Sequence, residues 1–248
     1  MSRYSQTVLL QELPVSLELT RQDIHLWFVS LDRPLVDIQP LQQVLSPDEQ
    51  ARADRFYSDR HRFRFIVGRG VLRLVLASYI GLMPEQIQFS YSEHGKPALA
   101  NASVSSAVSF NLSHSANHAL YAITCDRLVG VDLEHLRSID NLLALAKRFF
   151  TSNEYARLSA CSPADQTDLF FQLWTCKEAY LKAIGEGLAG LAQVEVRLSP
   201  DRAASLYLQG SEVADAKWTV LQLAPHPSYA AALATPGEVR EVVNYAIG

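Results

Sequence analysis

Alternating and short apolar runs recur along the chain and predict strands over residues 24–29, 87–91, 108–112, 119–125, 129–133, 194–198, 205–208, 218–223 and 229–234. Helical spacing of apolar positions predicts helices over 47–56, 62–79, 142–149 and 165–183. Capping chemistry marks three helix starts: Ser46 with Pro47 and Glu49, Thr151 with Glu154, and Ser162 with Pro163 and Asp165. The two kinds of element mix irregularly, without the regular alternation of a doubly wound sheet, so the pattern predicts an α+β fold.

Length and composition narrow this picture. A chain of 248 residues can bury about 70–75% of the surface it exposes when unfolded, which allows one large domain or two closely packed halves and excludes a small module. No tract is dominated by Gly, Ser or Pro, so the chain reads as globular throughout. A formal net charge of −4 argues against gross attraction to nucleic acid or to an anionic membrane. Cys125, Cys161 and Cys176 are odd in number and lack metal-ligand spacing, as expected of free thiols in a reducing compartment. Residues 1–20 have too short an apolar run for a signal peptide, and no stretch offers about 18 uninterrupted apolar residues. The expectation is a cytoplasmic protein with neither a membrane nor a nucleic-acid partner.

One predicted strand, 129–133, runs into two acids in "GVDLE". Strand side chains alternate, so Asp132 and Glu134 project to one side while Val131 and Leu133 face the other. Two carboxylates about 5 Å apart repel by roughly 3 kcal/mol at an effective dielectric near 20, so the pair calls for a cation. Taken alone, a solvated strand end with Arg137 as partner would explain it. In "FFQLWTCKEAYLKAIGEGL", residues 170–188, Trp174, Glu178 and Lys182 fall at successive i+4 steps with Lys177 beside them. That stripe reads either as a surface ion pair above a core aromatic or as a third carboxylate offered to Asp132 and Glu134. The second reading gives an oxygen-only site of the kind Mg²⁺ or Mn²⁺ prefers.

Between Arg52 and Arg73 stand seven arginines against two aspartates. On a continuous helix Arg62, Arg69 and Arg73 fall on one stripe, which is either solvated or suited to phosphates. Nucleotide is the better match than nucleic acid, because basic and aromatic residues interleave only here. Two polar clusters lie between: "EHGKPAL" presents Lys96 at a turn, and "FNLSHS" places Asn111, Ser113 and His114 where a strand meets a turn. A Ser113–His114 nucleophile pair is disfavoured, since neighbours on a strand face opposite ways.

Taken in order, "LSPDEQARADRFY", "HGKP", "FNLSHS", "GVDLE", "RFFTSNEY" and "LWTCKEAYLKAIGEGL" resemble the 4′-phosphopantetheinyl transferases of the monomeric Sfp type. The resemblance weakens after about residue 190. It implies two similar α+β halves, 1–124 and 125–248, with an active site in the cleft between them. It also implies transfer of the phosphopantetheine arm of coenzyme A to a serine of an apo acyl or peptidyl carrier protein, with Mg²⁺ and release of adenosine 3′,5′-bisphosphate. Position by position, Asp132, Glu134 and Glu178 match metal-binding acids, and Lys182 matches a lysine near the coenzyme A phosphates. Arg62, Lys96, Ser113 and His114 match coenzyme A contacts, and Arg52 sits where a basic residue is common. Glu178, directly or through a metal-bound water, is the candidate base. Glu49 departs from the pattern, because a basic residue can occur there. Two other readings share these motifs: a coenzyme A-binding module without transfer, and a Mg²⁺-dependent phosphohydrolase.

Overall fold

Each predicted strand and helix has a counterpart in the computed structural model, which describes residues 17–32, 38–100, 107–208, 211–212 and 218–248. Residues 1–16, most of the stretch considered as a signal peptide, lie outside the described residues. In chain order β1 (Asp23–Ser30) precedes α1 (Gln39–Gln43), α2 (Pro47–Asp54) and α3 (Asp59–Ile80). The hairpin strands β2 (Phe89–Tyr91) and β3 (Pro97–Leu99) follow, then β4 (Val108–Ser115) and β5 (His118–Cys125). The second half runs β6 (Gly130–His135), α4 (Leu142–Phe149), α5 (Ser152–Ala160), α6 (Pro163–Ile184), β7 (Val194–Leu198) and β8 (Ala203–Leu208). It ends with β9 (Ser211–Glu212), β10 (Trp218–Leu223), β11 (Tyr229–Pro236) and β12 (Glu241–Ile247).

The α+β class holds, and the two halves share a plan. Each sets one 22-residue helix, α3 or α6, against a mainly antiparallel sheet. Both helices end on a glycine in the left-handed region, Gly81 at φ 68° and Gly185 at φ 80°, where other residues would be strained. The first sheet has the order β12-β1-β5-β4 and the second β6-β11-β10-β8-β7, with β9 on β8. Alternation along the strands then builds three apolar layers. Trp27, Val29, Tyr121 and Ile123 pack under α3. Ile24, Leu26, Leu120 and Ala122 of the first sheet meet Val131, Leu133, Ala231 and Leu233 of the second. Ala232 and Ala234 face α6. The order of layers is helix, sheet, sheet, helix.

Several elements depart from the sequence reading. The short α1, the strand β3 and all of β12 were not foreseen, and of α5 only its start was read. The Thr151 cap forms reciprocally: the Glu154 amide donates to Thr151 Oγ1 at 3.3 Å, and the Thr151 amide to Glu154 Oε2 at 2.8 Å. At α2 only one half of the box is made. The Ser46 amide donates to Glu49 Oε2 at 3.0 Å, while Ser46 Oγ donates to Asp48 Oδ1. All three cysteines are free thiols, as expected. Among the described residues no helix is long and apolar enough to cross a membrane.

Candidate active site

Two edge strands, β4 of the first sheet and β6 of the second, run beside one another where the halves meet. They are joined through side chains rather than a backbone ladder. The Val131 amide donates to Asn111 Oδ1 at 2.9 Å. Ser113 Oγ donates to Asp132 Oδ1 at 3.0 Å, and Ser115 Oγ donates to Glu134 Oε2 at 2.9 Å while accepting from the His135 amide at 3.1 Å. Residues 111, 113 and 115 share a face because strand side chains repeat every two residues. The same period, visible in "NLSHS", could have marked Asn111 and Ser115 as partners of the acids; the sequence reading singled out Asn111 only as a loop polar and left Ser115 aside.

Gly130, Asp132 and Glu134 face α6. A Cβ at Gly130 would lie 2.0 Å from the Ala179 carbonyl oxygen and 2.4 Å from the Ala183 amide nitrogen, so only glycine lets strand and helix approach this closely. That approach brings Lys182 Nζ to 2.5 Å from Asp132 Oδ1 and 3.0 Å from Ser113 Oγ. Glu178, one turn earlier on α6, is buried. Burial raises its carboxyl to about 7, Asp132 and Glu134 push it the same way, and Lys182 opposes them. Asp132, Glu134, Glu178 and Lys182 line one cavity of about 320 Å³ with Ser113 and His114 from β4. Trp174 and Leu188 form its apolar wall.

Among the described residues, no three His, Cys, Asp or Glu side chains stand close enough together to hold a metal ion. The chemistry of the donors nonetheless fits a hard divalent cation. Asp132 Oδ2 and Glu178 Oε1 are buried without a hydrogen-bond partner, and every acidic donor of the cavity is an oxygen.

A second cavity, of about 570 Å³, adjoins the first and shares Leu112 and His114 with it. Arg52, Arg64, Arg69, His61 and His114 line it with the rings of Phe56, Phe65, Tyr91 and Tyr121, and no carboxylate is among its lining residues. A cationic, aromatic-walled space of this kind suits an anion that carries a flat ring. Of the arginines read in sequence as coenzyme A contacts, Arg52 reaches this cavity, its guanidinium 5.2 Å from the Phe65 ring centroid. Arg62 does not line it; it pairs with Asp54 at 2.7 Å on the surface. Lys96 is half-buried and donates to the Ala183 carbonyl at 2.8 Å and the Val129 carbonyl at 3.4 Å. Desolvation lowers its amine to about 8.

Two sequence readings need correction. Arg73 was read on one stripe with Arg62 and Arg69, either solvated or suited to phosphates, yet its side chain is 1% exposed and bound to Glu49 and to the carbonyls of Pro84 and Ile87. Lys177, placed beside the Trp174–Glu178–Lys182 stripe, is fully buried and paired with Glu154 at 2.5 Å. Glu154 also accepts from the Val196 amide at 2.7 Å, so the pair locks α5, α6 and β7 together. Of the arginine stripe only Arg69 lines the second cavity, and His61 and Arg64 were not foreseen there, because only the packing of α3 against β4 and β5 decides which arginines face inward.

The model of the 4′-phosphopantetheinyl transferase superfamily matches residues 128–234, and that of the 4′-phosphopantetheinyl transferase N-terminal region matches 35–126. A 4′-phosphopantetheinyl transferase, HetI, of Nostoc sp. is 45% identical over 224 residues, which cover 90% of this chain and 92% of that protein. The 4′-phosphopantetheinyl transferase Sfp of Bacillus subtilis is 32% identical over 191 residues, covering 76% of this chain and 83% of that protein. A holo-(acyl-carrier-protein) synthase structure from Bacillus anthracis, in complex with CoA (3′,5′-ADP), aligns at a TM-score of 0.38 and 22% identity. It covers 45% of this chain and 96% of that chain.

Proposed function

The chain belongs to the 4′-phosphopantetheinyl transferase superfamily, and from that membership we propose that it transfers the phosphopantetheine arm of coenzyme A to a serine of an apo acyl or peptidyl carrier protein, releasing adenosine 3′,5′-bisphosphate. One observation carries the reading: a cavity of three carboxylates and a lysine opens beside a cationic, aromatic cavity with no acid in its lining. The division of labour follows the chemistry of coenzyme A. Its nucleoside suits the cationic space, with Arg52 and His114 as contacts, and its pyrophosphate suits the acid cavity.

Asp132, Glu134 and Glu178 would hold Mg²⁺, with Mn²⁺ as a substitute, and the ion would supply charge neutralisation along the pyrophosphate when bound. The other steps belong to the chain itself. Lys182, fixed by Ser113 and Asp132, stands to neutralise charge on the departing bisphosphate. Glu178, directly or through a bound water, is the candidate to accept the proton of the carrier serine hydroxyl as its oxygen attacks the β-phosphorus and the bond to the bisphosphate breaks. Contacts to the nucleotide, remote from the reacting centre, provide binding that holds the pyrophosphate in place. In this reading residues 1–124 furnish most of the nucleotide contacts and 125–248 the acids, and the protein works as a cytoplasmic monomer.

The test is intact mass spectrometry of an apo carrier protein after incubation with this chain, coenzyme A and Mg²⁺, with and without chelator. A gain of one phosphopantetheine group that disappears with chelator is expected. Asp132→Ala is expected to slow that gain by about 100-fold or more. Release of bisphosphate without carrier modification would favour a hydrolase instead, and coenzyme A binding with no consumption would favour a binding module.

A further inference from the structure

Period two on β4 sets two serines, Ser113 and Ser115, against two acids of β6, Asp132 and Glu134. The second serine differs from the first in its other partner. Ser113 Oγ meets Lys182, whereas Ser115 Oγ accepts from the His135 amide at 3.1 Å. With that lone pair taken, the Ser115 hydroxyl proton is directed at Glu134 Oε2, 2.9 Å away. Arg137, the cation that sequence alone would pair with Glu134, stands 3.5 Å from the same oxygen on a side chain 57% exposed, which makes it a weak contact. Both contacts fall on Oε2, so Oε1 is the oxygen left for a cation.

The turn that carries Ser115 is strained and held from outside. It joins β4 to β5 through Ala116 and Asn117, and Ala116 sits at φ 51°, in the left-handed region that disfavours alanine. Arg64 Nη1, on a guanidinium anchored by Asp32, donates to the Ala116 carbonyl at 2.7 Å, and the Leu31 amide donates to the Asn117 carbonyl at 2.8 Å. From the second half, the buried Tyr229 of β11 brings its hydroxyl to 2.8 Å from Asn117 Oδ1 and 3.3 Å from the Ser115 carbonyl oxygen. In the sheet Tyr229 lies opposite His135 and Ala230 opposite Glu134, so one strand supports both the backbone of the acid and the turn of the serine.

We propose that Ser115 is a positioning residue for the reaction, which sets the side chain of Glu134 toward a divalent cation, and that Tyr229 holds the turn that places it. The inference rests on the reading above in which Asp132, Glu134 and Glu178 hold Mg²⁺. Ser115 lines neither cavity, so it acts through Glu134 rather than on cation or nucleotide.

Calorimetric titration of Mn²⁺ into the full chain saturated with coenzyme A tests this, with thermal midpoints reporting whether each variant keeps the fold. Ser115→Ala is expected to weaken Mn²⁺ about 10-fold, and Ser115→Thr, which keeps the hydroxyl, less than about 3-fold. Tyr229→Phe, which leaves the serine in place, should fall between them and carries the same comparison should Ser115→Ala fail to fold. Affinity for adenosine 3′,5′-bisphosphate without metal should change less than about 2-fold, because the nucleotide cavity is untouched. In a Glu134→Ala background Ser115→Ala should weaken Mn²⁺ no further, since the carboxylate it serves is gone. An equal fall in both backgrounds, or an Mn²⁺ affinity that neither Ser115→Ala nor Tyr229→Phe alters, would overturn the proposal. Failure of the wild-type chain with coenzyme A bound to take up Mn²⁺ would overturn the three-acid metal reading itself, and this inference with it.

Discussion

Lys96 shows how a single residue can tie two elements through its charge. Its amine caps the Ala183 carbonyl near the end of α6 and reaches the Val129 carbonyl just before β6, and burial alone lowers it to about 8. In the unfolded chain it returns to the ordinary lysine value. Between about 8 and 10.5 the unfolded state therefore binds more protons, and stability contributed at this residue rises with pH; below about 8 the burial cost is fully present. Thermal midpoints of wild type relative to Lys96→Met should accordingly shift in favour of wild type from pH 8 to pH 10. A constant difference across that range would remove Lys96 from the account. At this scale the acids were legible, because period two fixes Asp132 with Glu134 and i+4 spacing fixes Glu178 with Lys182. The roles of Arg73 and Lys177 were not, because burial of a charge depends on acids 24 and 23 residues away, Glu49 and Glu154.

At the scale of elements, the distance between β6 and α6 governs the site. Asp132 meets Lys182 only because Gly130 brings the Ala179 and Ala183 backbone against the strand. Gly130→Ala should force the pair apart and destabilise the fold by about 3 kcal/mol, the upper part of the usual range for overpacking. A urea midpoint within error of wild type would show that α6 can shift freely. The strand, the helix and their caps were readable from local pattern, and so was the mixture of classes. Which edge strand lies beside which was not: β4 and β6 meet through Asn111, Ser113 and Ser115, a pairing that periodicity cannot express.

For the whole molecule, the most informative element is one the sequence concealed. β12 has the burial pattern of a half-exposed edge and no clean alternation, yet it runs parallel to β1 from Asp23 opposite Glu241 to Val29 opposite Ile247. Tyr245 stacks on Trp27 with ring centroids 4.3 Å apart, and Ile247 is buried in the core under α3. Deleting residues 241–248 removes nothing from either cavity of the site and one full strand from the first sheet. The expected loss is about 4 kcal/mol or more from the burial of Ile247, Tyr245 and Val242, read as a lower urea midpoint; an unchanged midpoint would mean the first half closes by itself.

The same strand makes the order of synthesis matter. While the chain is being translated, the first half emerges with the outer edge of β1 bare, because the segment that covers it lies about 210 residues further along the chain. Until it arrives, an open strand edge is able to pair with a neighbouring nascent chain, so β12 acts as a built-in guard against that encounter.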